Sequence, residues 1–212
     1  MTLCTVLLLA GCGGSSTPLR TTLVATLGDS ITAGSPGYDP DPRMRETLGF
    51  GADEKSQWQY WAAKAHPDLR FRNCGVYGQR TDEIARRLGE CAEGARVLVV
   101  QGGINDIAQG CSVDAAAATL RALVDRGRAL GLRVAVCDVL PWNNGWPSKE
   151  PAIRALNVQI AGFGVPLLAF HDTLEDPAAP GRMKPEWTNE DGDHPSVAGY
   201  RRLGELAFRW PF

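Results

Sequence analysis

Apolar positions along the chain gather in short runs separated by longer stretches in which polar and apolar residues recur at helical spacing. Leu23–Leu27, Ala95–Gln101, Leu132–Leu140 and Val165–Phe170 are runs of strand length, and Leu69–Cys74 reads as one further strand. The first four lack the alternation of a strand wet on one face, which predicts a parallel sheet covered on both sides. Between them the spacing predicts helices over about Lys55–Ala65, Asp82–Cys91, Val113–Leu130 and Ile153–Gly162, with a closing helix from Ser196 to Trp210. Ala33–Ser56, rich in Gly and Pro, reads as a long loop. Strand and helix alternate throughout, so the expected class is α/β: one three-layer α/β/α sandwich with a mainly parallel sheet of about five strands.

The first apolar run ends abruptly in Gly28-Asp29-Ser30-Ile31-Thr32. Gly28 permits a tight turn at the end of a strand, and Ser30 then opens the following segment at the carboxyl edge of the sheet, where α/β proteins build their sites. A serine hydroxyl is a weak nucleophile unless a histidine and an orienting carboxylate assist it. Asp191-Gly192-Asp193-His194-Pro195 supplies both. His194 is the expected base and Asp191 its orienting acid, because the neighbouring Asp193 points its side chain away. In a parallel sheet the segments at Ser30, Gly75 and Asn105 reach the same edge. The amides of Ser30 and Gly75 with the Asn105 side chain are therefore the expected oxyanion donors for ester cleavage. Asp29 and Asp106 read as structural acids, and His171 as a structural or rim residue.

Composition narrows the alternatives. The 212 residues suit one domain with a sizeable core, and a formal net charge of −2 supplies no general attraction to nucleic acid. Four cysteines follow residue 20, namely Cys74, Cys91, Cys111 and Cys137, and sequence does not choose among their three pairings. No Cys-x-x-Cys pair occurs and the three histidines are scattered, so neither a metal motif nor an organic cofactor is called for.

Four blocks in order resemble those of the SGNH hydrolases, the GDSL-type esterases and lipases: Gly28-Asp29-Ser30-Ile31-Thr32, Asn73-Cys74-Gly75-Val76-Tyr77-Gly78, Gly103-Ile104-Asn105-Asp106 and Asp191-Gly192-Asp193-His194-Pro195. The resemblance implies a flavodoxin-like sheet, Ser30 as nucleophile, an oxyanion hole, and the Asp191/His194 pair. The Ile31-Thr32 wording is an ordinary variant of the first block. The resemblance also implies a chemistry without a cofactor, on substrates ranging over carbohydrate deacetylation, aryl esters, thioesters and lysophospholipids.

Leu9-Ala10-Gly11-Cys12, after an apolar stretch too short to span a bilayer and before Gly13-Gly14-Ser15-Ser16, resembles a bacterial lipoprotein signal. That implies a signal peptide over residues 1–11, a lipidated Cys12 and tether over 12–20, and a hydrolase domain over 21–212. The expected location is the membrane, at the periplasmic or outer cell surface. Tyr77, Trp142, Trp146 and Trp187 fall in or near active-edge loops and are candidate substrate walls. The loops offer no long apolar channel, so a short ester, such as an O-acetyl group on a glycan, is the expected substrate. Acyl transfer to another alcohol and a non-catalytic glycan-binding role are the rival functions.

Overall fold

The computed structural model describes residues 21–212, so the signal, Cys12 and the tether lie outside the described residues. The elements run β1 (Thr22–Gly28), α1 (Ser30–Ala33), α2 (Pro42–Leu48), α3 (Trp58–Ala65), β2 (Leu69–Gly75), α4 (Thr81–Arg86) and α5 (Leu88–Ala92). They continue with β3 (Val97–Val100), α6 (Ile104–Ala108), α7 (Val113–Ala129), β4 (Arg133–Cys137), α8 (Glu150–Ala161), β5 (Leu167–Leu168), α9 (Phe170–Leu174), β6 (Glu175–Asp176), β7 (Ala179–Met183) and α10 (Val197–Arg202). Five strands form one parallel sheet in the order β2-β1-β3-β4-β5. This is the flavodoxin-like order, in which the chain reverses direction beside β1 and leaves a crevice at the carboxyl edge between β1 and β3.

Alternation along each strand divides the core into two layers. Ala25, Leu27, Leu98, Val100, Val134 and Val136 pack with Leu120, Leu123 and Leu156 on one face. Val24, Val97, Val99, Ala135 and Cys137 pack with Trp58, Phe170, Tyr200 and Phe208 on the other. Trp58 is fully buried, and truncating a residue of this kind typically costs about 3–5 kcal/mol.

Several expected elements change shape. The stretch 33–56 carries α2, started by Asp41, which accepts the Arg43 amide, and by Pro42 in the first turn. No residue of α2 is buried, so there was no apolar stripe to read. The expected helix over 82–91 is two helices broken at Arg87, whose guanidinium donates to the carbonyls of Cys74 and Gly28. The expected strand 165–170 is only two residues long, because Asp138 accepts the His171 amide and starts α9 at once. The closing helix leaves α geometry at Leu203, with a π turn to Ala207, and becomes extended at Phe208. The antiparallel pair β6–β7 was not expected at all. Cys74 and Cys91 form a disulfide between β2 and α5, while Cys111 and Cys137 are free thiols, exposed and buried respectively.

Candidate active site

The turn after β1 closes around Gln101, at the end of β3. A Cβ on Gly28 would collide with Thr32 Oγ1 and Gln101 Oε1, so only glycine admits this approach. Gln101 Oε1 accepts from Thr32 Oγ1 at 2.8 Å and from the Asp29 amide at 3.2 Å. Asp29 accepts the Ile31 amide at 2.9 Å and so caps α1. Its other oxygen is buried without a partner. Burial pushes the Asp29 carboxyl up to about 6, against the smaller opposing pull of the Ile31 amide and Gln101. Asp106 accepts from the Thr81 amide and hydroxyl and anchors α4 to α6. Both acids are structural, as expected.

Ser30, at the first position of α1, is 4% exposed, and its Oγ lies 2.9 Å from His194 Nε2. His194 Nδ1 lies 2.7 Å from Asp191 Oδ2. The other Asp191 oxygen accepts the amides of Asp193 and His194 at 2.9 and 3.0 Å. Burial pushes the Asp191 carboxyl up, but the His194 ring and these two amides outweigh burial and leave it below its ordinary value. The acid therefore stays anionic beside the imidazole, favouring the tautomer with the proton on Nδ1 and the lone pair on Nε2 toward Ser30. A bridge between Thr188 and Pro195, with Gly192 at positive φ, folds the loop so that two acid–base residues three positions apart face each other.

Ser30 and His194 open onto a cavity of about 200 Å³ lined also by Ile31, Tyr77, Gly78, Ile104, Asn105, Ala108 and Trp142. Asn105 Nδ2 donates to the Gln79 carbonyl at 2.9 Å, which fixes the amide and leaves its second N–H for the cavity. The Tyr77 ring stacks on His194, centroids 6.1 Å apart. Trp142 Nε1 donates to Asp193 Oδ1 at 2.5 Å, and Asn144 Nδ2 bonds both Asp193 Oδ1 and the Asp191 carbonyl at 2.7 Å. The loop after β4 is thereby fastened to the loop that carries the histidine.

The profile of the GDSL-like Lipase/Acylhydrolase family matches residues 26–202, which spans the whole of this constellation. The chain belongs to that family. Similar solved structures include a member of the lipolytic protein G-D-S-L family from Veillonella parvula DSM 2008, at 19% identity and TM-score 0.67, covering 87% of this chain and 94% of that one. The lipase/acylhydrolase from Enterococcus faecalis has 19% identity and TM-score 0.65, with coverages of 87% and 92%. Esterase EstA from Pseudoalteromonas sp., inhibited by monoethylphosphonate, has 19% identity and TM-score 0.63, with coverages of 86% and 92%. At these identities the likeness is one of fold. No curated protein matches the chain.

Within this GDSL-type hydrolase, three sequence expectations need correction. The Gly75 amide donates to Asn73 Oδ1 at 2.9 Å and is not free for an oxyanion. Gly75 is glycine for a different reason: a Cβ there would strike the backbone of Ala33 in α1. It lines a separate cavity of about 530 Å³ behind β2 that contains neither Ser30 nor His194. Gly78, at φ +74°, is the glycine of the same block that lines the Ser30 cavity. Spacing alone did not distinguish two glycines that flank Val76-Tyr77. Among the four candidate walls, Tyr77 and Trp142 line the cavity, whereas Trp146 and Trp187 do not. Arg182 lies over the Trp146 ring, and Trp187 packs on the core beneath Arg202. The role of Asp193 in holding Trp142 was missed, because nothing in the sequence pairs positions so far apart.

Proposed function

We propose that this GDSL-type hydrolase cleaves short-chain esters, O-acetylated carbohydrate among them, through a covalent acyl-enzyme on Ser30. The observation that carries the reading is the line of contacts from Asp191 through His194 to Ser30 at the mouth of a small cavity. His194 Nε2 takes the proton as Ser30 Oγ attacks the ester carbonyl, and Asp191 stabilises the imidazolium that forms. The Ser30 amide, at a helix start where no intrahelical acceptor exists, the Gly78 amide and the free N–H of Asn105 are the donors for the oxyanion. Imidazolium then protonates the departing alcohol, and water, deprotonated by the same nitrogen, releases the acid. No step calls on a cofactor.

A cavity of about 200 Å³ lies below the roughly 300–1,000 Å³ typical of drug-sized ligands, which supports an acetyl or similarly short acyl group. A long chain would leave most of its methylenes without the roughly 0.8 kcal/mol each gains on burial. Tyr77, 41% exposed at the rim, offers an aromatic face to a sugar or aryl leaving group. Phosphonate inhibition of the Pseudoalteromonas esterase supports a phosphonate as the probe here. It should add one label, on Ser30, and kcat/KM over a series of acyl lengths with one leaving group should peak at two to about four carbons. A label on another serine rejects the nucleophile, and a steady rise toward long chains rejects the short-ester reading in favour of a lipase or lysophospholipase.

We also infer that Cys12 carries lipid and holds the domain at a membrane, on the strength of Leu9-Ala10-Gly11-Cys12 and the Gly/Ser tether after it. Intact mass of membrane-extracted protein checks this: a retained Met1, or a Cys12 amine without added lipid, rejects the anchor.

A further inference from the structure

Away from Ser30, the amino end of α8, the start of α9 and the strand β6 bring Glu150, His171 and Glu175 together, with one ligand atom from each lying within 4.8 Å of the others. His171 is 3% exposed, and its Nε2 is buried with no hydrogen-bond partner, 3.8 Å from Glu150 Oε1. Both Glu150 oxygens are likewise buried without a hydrogen bond. The cation present is Arg154, whose Nε lies 2.5 Å from Glu150 Oε1 without the alignment of a hydrogen bond, and whose Nη2 lies 2.6 Å from Glu175 Oε1. Arg154 is half-exposed, so its long side chain has solvent within reach if its head group is displaced. Two carboxylates against one guanidinium leave a negative balance around an unpartnered imidazole nitrogen. Glu175 Oε1 also accepts the Gly181 amide, so the group left without a partner is the buried His171 nitrogen, which is costly inside a protein unless something pairs with it.

We propose that Glu150, His171 and Glu175 form a binding site for a divalent transition-metal ion, zinc being the best fit, which displaces the Arg154 head group. One imidazole nitrogen and two carboxylates are a donor set for zinc and its first-row neighbours, whereas calcium and magnesium favour all-oxygen sets. Bonds of about 2.0–2.2 Å bring tetrahedral ligand atoms to roughly 3.3 Å apart, so the three side chains close by about an ångström on binding. Water completes the fourth position. The ion is structural: it ties α8, α9 and β6 at a point where β7 is also held, since the Asn143 side chain bonds the amide and carbonyl of Met183. Asn143 follows Trp142, so the site braces the loop that forms one wall of the Ser30 cavity.

The test is zinc titration of tag-free, EDTA-stripped protein carrying Cys111→Ser, which removes the exposed free thiol. One zinc per chain should be retained through gel filtration, with Tm rising by roughly 5–10 °C at a hundredfold excess over Kd. Glu175→Gln and His171→Asn should abolish the shift. Arg154→Ala, at a half-exposed position that leaves the core intact, should bind zinc about tenfold tighter because the competing cation is gone. That variant keeps the test decisive if His171→Asn fails to fold. Absence of a zinc-induced shift in the parent protein overturns the site, as does a shift that survives Glu175→Gln. Unchanged or weaker binding in Arg154→Ala, or an equal response to calcium, overturns it too.

Discussion

His194 and His171 stand at the same edge of the sheet, 8% and 3% exposed, and each has a carboxylate beside its ring. His194 has both nitrogens engaged, one by Asp191 and the other by the Ser30 hydroxyl. His171 faces Glu150 with a nitrogen that no hydroxyl meets. Burial beside an acid is therefore common to both and does not by itself make a catalytic base. The difference lies in what sits beyond the ring. A proton donor aligned with Nε2 gives a nucleophile–base pair, while a second carboxylate gives a place for a cation.

The largest expected effect breaks that comparison directly. Ser30→Ala and His194→Ala should each lower kcat/KM for an acetyl ester by about 10⁴-fold or more, whereas His171→Asn should change it by less than about threefold. Steady-state kinetics on the folded variants decides it, and comparable losses at both histidines would merge the two roles. Next in size is Asn105→Ala, expected to reduce kcat by about 10²–10³-fold with KM nearly unchanged, because an oxyanion donor acts chiefly in the transition state. A change confined to KM would make Asn105 an ordinary binding residue.

Asp29 sharpens the comparison from the side of the acids, since it is buried next to Ser30 without a histidine bonded to it. Its carboxyl is raised from 3.8 to about 6. The folded chain therefore keeps this proton where the unfolded chain has released it, so ionisation of Asp29 opposes folding. The opposition is absent below about pH 4, grows as pH rises, and is complete above about pH 6, reaching at most about 3 kcal/mol. Asp29→Asn should remove that component. Urea unfolding at a series of pH values should then show the variant gaining on the wild type between about pH 4 and pH 6. Parallel stability curves would reject the buried-acid reading.

The smallest effect concerns the two acids of the histidine loop. Asp193→Ala frees Trp142 and Asn144 and should lower kcat/KM roughly fivefold, mostly through KM, as expected for about 1 kcal/mol of lost positioning. Asp191→Ala should cost far more, and mostly in kcat. Kinetics of the pair separates them, and a large loss of kcat at Asp193 would exchange their roles.

Sequence by itself determined the α/β class, the parallel sheet and the places where Ser30, Asn105, Asp191 and His194 reach its edge. The physical reason is that these properties follow from local rules: runs of buried strand length, glycine at a tight turn, and an Asp and His three apart in a loop. The Cys74–Cys91 pairing, the bonding of the Gly75 amide by Asn73 while Gly78 lines the cavity, and the fastening of Trp142 by Asp193 were decided by tertiary structure alone. So were the break at Arg87 and the meeting of Glu150 with His171 and Glu175. Each of these depends on which backbone groups are already occupied and on which distant side chains share a small volume. Gly75 and Gly78 are the same residue type within one motif, yet the Gly75 amide is taken by Asn73 while Gly78 lines the Ser30 cavity. Packing makes that choice, because the Asn73 side chain that takes the Gly75 amide is itself held by the Ala33 carbonyl and Gln57, which reach it only once the layers have closed.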